Sequence, residues 1–234
     1  MIMEKQPNQE FPKGLIGNIS IPVDFSHLII FVLNGSVSMN RLNEEKITKG
    51  QMVSCAVKDI FCKFKCSLLR INFSFAVIYY DNEARIELNI TPTIKVDEMR
   101  SYDPTVGMGA LESFVSVGIS LAGKLAKQHL EKTNQLGTPK SASIVILTFG
   151  YDSKQQDALE IAKSVKANPK IEIITCYLES VDEINDNTAE MDNFYKEISS
   201  NIYYFKKTKT IDELGSFLNM SLYHNRKLSL LRKV

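Results

Sequence analysis

Two hydroxyl side chains follow the first apolar run of the chain, in the segment NGSVSM at residues 34–39. Ser36 and Ser38 stand two positions apart, so a tight loop can point both of their oxygens the same way. Hydroxyl and carboxylate oxygens are ligands that Mg²⁺ prefers. An acid at the head of the segment would therefore predict a metal site. The sequence has Asn34 there, which offers a neutral carbonyl oxygen instead of a charge.

Two other loops lie next to predicted elements, one before a helix and one after a strand. Residues 106–109 read VGMG and precede a long helical pattern, and residues 149–153 read FGYDS and follow a second continuous apolar run. Open sheets with parallel strands bind ligands at the carboxyl ends of those strands. A functional site is therefore expected where the first loop (34–39), the second loop (106–109) and the third loop (149–153) meet.

Strand and helix patterns alternate along nearly the whole chain, with one early hairpin. Continuous apolar runs indicate strands covered on both faces, and apolar residues at helical spacing indicate amphipathic helices. The predicted strands are 27–33, 69–80, 84–90, 142–148, 171–178 and 202–205, and the predicted helices are 48–64, 110–131, 153–167, 188–200 and 211–224. This order predicts an α/β protein with three layers, in which a mostly parallel, Rossmann-like sheet carries one antiparallel strand at its edge.

Composition narrows the possible functions. The chain has 234 residues, 44% of them apolar, and a formal net charge of +1 with acids and bases interspersed, which does not favour a nucleic-acid binder. The polar first residues predict no signal peptide, and no apolar run is long enough to span a bilayer. Cys55, Cys62, Cys66 and Cys176 make a poor disulfide framework, so packing side chains in a reducing cytoplasm are expected rather than zinc ligands.

The three loops together resemble those of the von Willebrand factor type A (vWA) family. Its first loop has the pattern Asp-x-Ser-x-Ser, its second Gly-Gly-Thr-x-Leu and its third Leu-Thr-Asp-Gly. This chain has NGSVS at 34–38, GMGAL at 107–111 and LTFG at 147–150, in the same order and on the same kinds of element. The resemblance covers about residues 24–225 and implies the vWA fold, an arm at 1–23, and a basic, leucine-containing tail at 226–234 that continues the last helix.

In the vWA family the three loops form a metal-ion-dependent adhesion site, in which the metal accepts an acidic side chain from a partner protein. This sequence keeps the two serines, but the first acid is an amide, the threonine position is glycine or methionine, and the third acid is an aromatic ring. The resemblance therefore implies a degenerate site with no metal and no other cofactor. Its residues are Asn34, Ser36, Ser38, Met108, Gly109, Phe149 and Asp152.

Alternatives remain open for this site. Asp103 or Asp152 could replace the missing acids and restore Mg²⁺ or Mn²⁺ binding. The serine hydroxyls could instead satisfy backbone groups in a turn, or bond to a partner protein on the same rim. An exposed Phe149 would be a hydrophobic anchor for that partner.

The predicted function is that of a non-catalytic adaptor or scaffold module that binds another protein in the cytoplasm. The resemblance is to stand-alone, intracellular vWA proteins of bacteria, such as those associated with tellurite resistance. One alternative is a metal-dependent vWA adaptor in a comparable stress system. Another is a nucleotide-binding or enzymatic protein on a Rossmann-like sheet, although the sequence has no phosphate-binding loop and no nucleophile motif.

Overall fold

A computed structural model describes residues 25–42, 45–132, 137–150, 152–179 and 188–224 of the protein. Within these ranges the chain forms six strands and five helices. The strands are β1 (Ser26–Asn34), β2 (Phe73–Tyr80), β3 (Ala84–Pro92), β4 (Lys140–Thr148), β5 (Ile171–Leu178) and β6 (Phe205–Thr208), and the helices are α1 (Lys49–Cys66), α2 (Val115–Glu131), α3 (Gln155–Lys166), α4 (Thr188–Ile198) and α5 (Ile211–Asn219). A π-helical turn, Met220–His224, follows α5.

The strands form one sheet in the order β3-β2-β1-β4-β5-β6, with β3 antiparallel and all other neighbours parallel. Helices α1 and α5 contact each other, whereas α2 packs against α3 and α3 against α4, so the sheet is flanked by helices in a three-layer arrangement. The central strands are buried along nearly their whole length, which is why their sequences are continuously apolar. The predicted fold class is confirmed.

The strand register brings the ends of three strands together. Asn34, the last residue of β1, pairs with Tyr80 at the end of β2, and Leu33 pairs with Leu147 on β4. Thr148 ends β4 one position further along. The polar groups of Asn34, Tyr80 and Thr148 therefore lie at the same edge of the sheet. The loops after β1 and β4 begin at this edge.

Two element boundaries differ from the predictions. Helix α2 begins at Val115 rather than at residue 110, because the Phe114 N–H donates to the Asp81 carbonyl oxygen and the Val115 N–H donates to the Asp152 carboxylate. The last strand covers Phe205–Thr208 rather than 202–205. The Asn201 side chain accepts the Tyr203 N–H and starts a 3₁₀ turn at 202–204 instead.

The cysteines pack differently from the prediction. Cys55, Cys62 and Cys66 are exposed on α1 and free, so they are not core residues. Cys176 is buried in β5, and burial raises the pKa of its thiol to about 12. Among the described residues, no group of three or more His, Cys, Asp or Glu side chains is placed to hold a metal ion.

Two predicted features lie outside the described residues. These are the arm at 1–23 and the tail at 226–234. The domain boundaries at 24 and 225 therefore stay predictions. Among the helices that are described, none combines the length and apolar character needed to cross a membrane.

Helix α2 lies so close to the sheet that Gly118 faces it without a side chain. A Cβ at this position would lie 2.7 Å from Val32 Cγ1 and 3.2 Å from the Tyr80 ring. We expect Gly118→Ala to lower the free energy of unfolding by about 1–3 kcal/mol, despite the better helix propensity of alanine. Gly215→Ala on α5 is the matched control, because its Cβ would meet its nearest atom at 3.9 Å.

Urea unfolding followed by circular dichroism measures both variants. The control should be as stable as the wild type, or up to about 1 kcal/mol more stable. Equal stabilities for the two variants would contradict the close packing of α2 on the sheet.

Candidate interaction site at the strand ends

The Asn34 side chain connects the three loops. Its Nδ2 group lies 3.3 Å from Ser113 Oγ, 3.3 Å from Thr148 Oγ1 and 3.1 Å from the Phe149 carbonyl oxygen, all of which can accept its hydrogens. Its Oδ1 accepts the Ser36 N–H at 2.8 Å. The residue is fully buried. A carboxylate has no N–H to donate, so the amide makes bonds that an ionised aspartate at this position could not make.

The hydroxyl of Thr148 extends this network into the core. It accepts a hydrogen bond from the Tyr80 hydroxyl at 2.9 Å and lies 3.4 Å from the Tyr195 hydroxyl on α4. Burial raises the pKa values of the Tyr80 and Tyr195 hydroxyls well above the usual value for tyrosine, so both hydroxyls stay protonated. Buried polar groups are stable only when they are hydrogen-bonded, and this network provides partners at the ends of β1, β2 and β4.

Ser36 and Ser38 are brought together as the sequence predicts. Their Oγ atoms are 2.7 Å apart and share a hydrogen bond. Ser36 is buried and Ser38 is half-buried. The missing side chain of Gly35 allows a close approach here: a Cβ would lie 2.6 Å from the Pro104 carbonyl oxygen and 2.7 Å from Met108 Cβ. The second loop therefore packs directly on the first.

The second loop is held by Asp81, a residue of the turn between β2 and β3 that is not among the predicted site residues. Its Oδ2 accepts the N–H groups of Gly109 and Ala110 at 3.1 and 3.0 Å. Partial burial opposes ionisation of Asp81, but these N–H groups and those of its own turn outweigh burial and lower the pKa of the carboxyl. Arg85 also donates to the carbonyl oxygens of Val106 and Gly107.

The hydroxyl that the second loop brings to Asn34 belongs to Ser113, four residues after the position expected from the motif. Gly109 is exposed, with a φ of +146°, and Met108 is half-buried against Gly35. The loop continues to residue 114, where α2 follows. Ser113, near the end of this loop, therefore contacts Asn34 at the end of β1. Ser113 could not be found from the pattern, since the sequence predicts helix there.

The third loop carries a buried cation–aromatic pair. Phe149 is buried, so it is not the exposed anchor that was considered. The Lys49 ammonium lies 2.8 Å from the centroid of its ring and donates to the Leu178 carbonyl oxygen at 3.1 Å, and Arg41 Cζ lies 5.7 Å from the same centroid. Lys49 is fully buried. The sequence contained a signal for it: a lysine in the first turn of a helix opposes the helix dipole.

The two acids considered as replacement metal ligands bond to the protein itself. Asp152 is buried; its Oδ2 accepts the Val115 N–H at 2.6 Å and its Oδ1 the Lys154 N–H at 2.8 Å. Burial raises the pKa of Asp152, although these two N–H groups oppose the shift. Asp103 Oδ1 accepts both the N–H and the hydroxyl of Thr105. Asp152 thus caps α2, and Asp103 stabilises a turn.

Exposed apolar side chains lie on or next to the first and second loops. We call the set Val37, Leu42, Val106 and Leu111 the apolar rim. Val106 and Leu111 are 68% and 89% exposed, and the Val37 N–H donates to the Ala110 carbonyl oxygen, so the first and second loops adjoin here. Lone exposed apolar residues are ordinary on protein surfaces. Four on two adjoining loops are a candidate contact surface.

The role of Asp81 in holding the second loop generates a pH-dependent prediction. We expect Asp81→Asn to lower the free energy of unfolding by about 1.5–3 kcal/mol at pH 7, because charged acceptors form the stronger hydrogen bonds. The pKa of Asp81 is lower in the folded chain than in the unfolded chain. Its stabilisation is therefore complete above the ordinary carboxyl range and is lost as the pH falls through the folded pKa.

Urea unfolding of wild type and variant at pH values from 7 down to the acid limit of the native state measures this effect. The difference between the two should shrink as the pH falls below about 4. Asp59→Asn is the control, since Asp59 forms an exposed ion pair with Lys63 and should contribute less than about 1 kcal/mol at any pH. A difference for Asp81→Asn that did not change with pH would contradict its role.

Comparisons with known proteins place the fold. No family model and no curated protein matches the sequence. A pilus adhesin, SpaC from Lactobacillus rhamnosus GG, superposes with a TM-score of 0.66 and 10% identity, over 84% of this chain and 30% of the adhesin. Proximal thread matrix protein 1 from the mussel byssus, in a structure with a zinc-occupied MIDAS motif, gives 0.58 and 15%, over 84% and 45%.

A third similar structure is the conserved hypothetical protein BatB from Bacteroides thetaiotaomicron, with a TM-score of 0.56 and 14% identity over 83% of this chain and 98% of BatB. The chain spans less than half the length of the adhesin and the matrix protein that it matches. At these identities the similarity concerns the fold alone. The protein has a vWA-like fold.

Proposed function

We propose that this protein is a non-catalytic interaction module that binds another protein through the apolar rim, without a metal ion. The observation that carries this proposal is the exposure of Val106 and Leu111 beside a polar network that is already hydrogen-bonded internally. The adhesin and matrix protein with similar folds are consistent with a binding role. The apolar rim provides contact area, and the network beneath it holds the loops in place.

The residues at the strand ends do not fit a divalent cation. The two positions that carry acids in the vWA family are the amide Asn34 and the ring of Phe149. The ammonium of Lys49 lies against that ring and would repel a metal ion nearby. Mg²⁺ gives up its water reluctantly and needs carboxylates in compensation. We therefore infer that the site works without metal and without any other cofactor.

A preformed surface favours binding because little conformational entropy is lost. The second loop meets this condition: Asp81 accepts the N–H groups of Gly109 and Ala110, and Arg85 donates to the carbonyl oxygens of Val106 and Gly107. These bonds hold the backbone between the apolar rim residues Val106 and Leu111. The part of the rim on the second loop is thus held by hydrogen bonds to Asp81 and Arg85.

Charges near the apolar rim define the partner chemistry. Arg41, Arg85 and Lys154 are exposed on or beside the three loops, and Glu112 is the exposed acid next to Leu111. These three cations favour carboxylates on the partner through electrostatic complementarity. We propose a protein segment that places apolar side chains on the rim and carboxylates beside the arginines.

An enzymatic role is not favoured by the positions of the described histidines. His27 bonds through its ring to Ser141 Oγ at 2.8 Å, and His129 Nε2 lies 3.5 Å from the Ser26 carbonyl oxygen. Both contacts are at the start of β1 and β4, the edge of the sheet opposite the three loops.

The free thiols of Cys55, Cys62 and Cys66 further favour a reducing compartment, as in the cytoplasm.

The proposal predicts that divalent cations do not stabilise the wild-type protein. A ligand that binds the native state raises stability by mass action. We expect the melting temperature to change by less than about 1 °C when 5 mM MgCl₂ or MnCl₂ replaces EDTA at constant ionic strength. A rise of several degrees would contradict the proposal and favour a metal-dependent adaptor in which Asp103 or Asp152 completes the ligand shell.

The apolar rim predicts which substitutions weaken binding. Peptides selected from a displayed random library on the wild-type protein serve as probes. We expect Leu111→Ser and Val106→Ser each to raise the Kd of such peptides about tenfold or more, since exposed apolar anchors dominate small interfaces. The selected peptides should contain acids, and Arg41→Gln should weaken them most at low salt.

Leu68→Ser is the matched control. Leu68 is 74% exposed and follows the end of α1, at the sheet edge opposite the three loops. Its substitution should change the Kd less than twofold. Circular dichroism confirms that each variant is folded. Peptides that bind all variants equally would place the interface elsewhere.

A further inference from the structure

Lys49 is a charged side chain with no exposed surface, and its ammonium sits 2.8 Å from the centroid of the Phe149 ring. Burying an ammonium is costly unless other groups replace its water. The groups that replace water around this ammonium include the negative face of the ring and the Leu178 carbonyl oxygen at 3.1 Å.

The contact joins the same parts of the molecule that a metal joins in the vWA family. Lys49 opens α1, the helix that follows the first loop, and Phe149 is the first residue of the third loop. Arg41, also from the segment after β1, approaches the same ring. A positive charge from the first-loop side therefore meets the third loop at the position that carries an acid in the family.

The residues on both sides of this contact suit an ammonium rather than a divalent cation. A divalent cation needs carboxylates, whereas a lysine ammonium next to Phe149 needs a π face and carbonyl oxygens. An amide at Asn34 and an aromatic ring at Phe149 are expected when the positive charge is a lysine side chain instead of a bound metal ion. The amide then replaces the remaining metal contacts with hydrogen bonds to Ser113, Thr148 and the third-loop backbone.

We propose that the Lys49 ammonium is a covalently tethered replacement for the divalent cation of this fold. It links the first-loop side of the site to the third loop permanently, so the rim keeps one arrangement whatever the metal concentration. This inference rests on the metal-free site proposed above. It adds that Lys49 itself prevents metal binding, even where carboxylates are present.

Restoring the carboxylates with and without Lys49 tests the proposal. In Asn34→Asp/Phe149→Asp, we expect the ammonium to pair with the new acids, so that 5 mM MnCl₂ changes the melting temperature by less than about 1 °C. In Asn34→Asp/Phe149→Asp/Lys49→Met, the site should bind Mn²⁺ and the melting temperature should rise by about 3–10 °C. Isothermal titration calorimetry with MnCl₂ gives the stoichiometry.

Lys154→Met in the double variant is the matched control, because the Lys154 ammonium also lies on an aromatic ring, 4.0 Å from the centroid of Phe114. It should not create Mn²⁺ binding. Equal binding by the double and triple variants would overturn the proposal, and so would a folded triple variant without binding. Wild-type protein that binds Mn²⁺ would instead overturn the proposed function, so the two failures are distinguishable.

A second measurement applies if the restored variants do not fold. Lys49→Met should lower the melting temperature of the wild type by several degrees, because the Phe149 ring and the Leu178 carbonyl oxygen lose their cation. In a Phe149→Leu background the same substitution should lower it by at most half as much. Equal losses in the two backgrounds would show that the ammonium does not act through the ring, and would overturn the proposal.

Discussion

The structure of this edge of the sheet depends on the hydrogen bonds of the Asn34 amide. The register of β1 with its neighbours leaves polar groups at three strand ends, in a place that the loops cover. Asn34 donates toward Ser113, Thr148 and the Phe149 carbonyl oxygen and accepts the Ser36 N–H. Because buried donors and acceptors must be paired, this one side chain fixes how the three loops approach one another.

The proposed function depends on the hydrogen bonds that pair these polar groups within the chain. When the strand ends need no metal, the rim has no open coordination position with which to capture a partner's acid. In the proposed function, recognition relies on exposed side chains. The apolar rim and its neighbouring arginines offer them, and Asp81 and Arg85 hold the backbone of the second loop. In this proposal the interface lies at the strand ends and uses packing and charge instead of metal coordination.

Much of the fold could be predicted because its signals are local. The continuous apolar runs of the central strands predicted their burial, and the alternation of elements predicted the parallel sheet. The pair Ser36 and Ser38 was also predicted, since both belong to one short loop. In contrast, Lys49 and Ser113 reach the site through the packing of separate segments. The start of α2 was misplaced because its cap, Asp152, lies 37 positions away in the sequence.

The most direct test of the central claim is a crystal structure grown with millimolar MnCl₂, with diffraction data collected at the manganese absorption edge. We predict no anomalous peak beside Ser36 and Ser38, clear density for the Lys49 ammonium on the face of the Phe149 ring, and the two serine hydroxyls within hydrogen-bond distance of each other. An anomalous peak coordinated by those hydroxyls at about 2.1–2.2 Å, with Lys49 displaced from the ring, would contradict it.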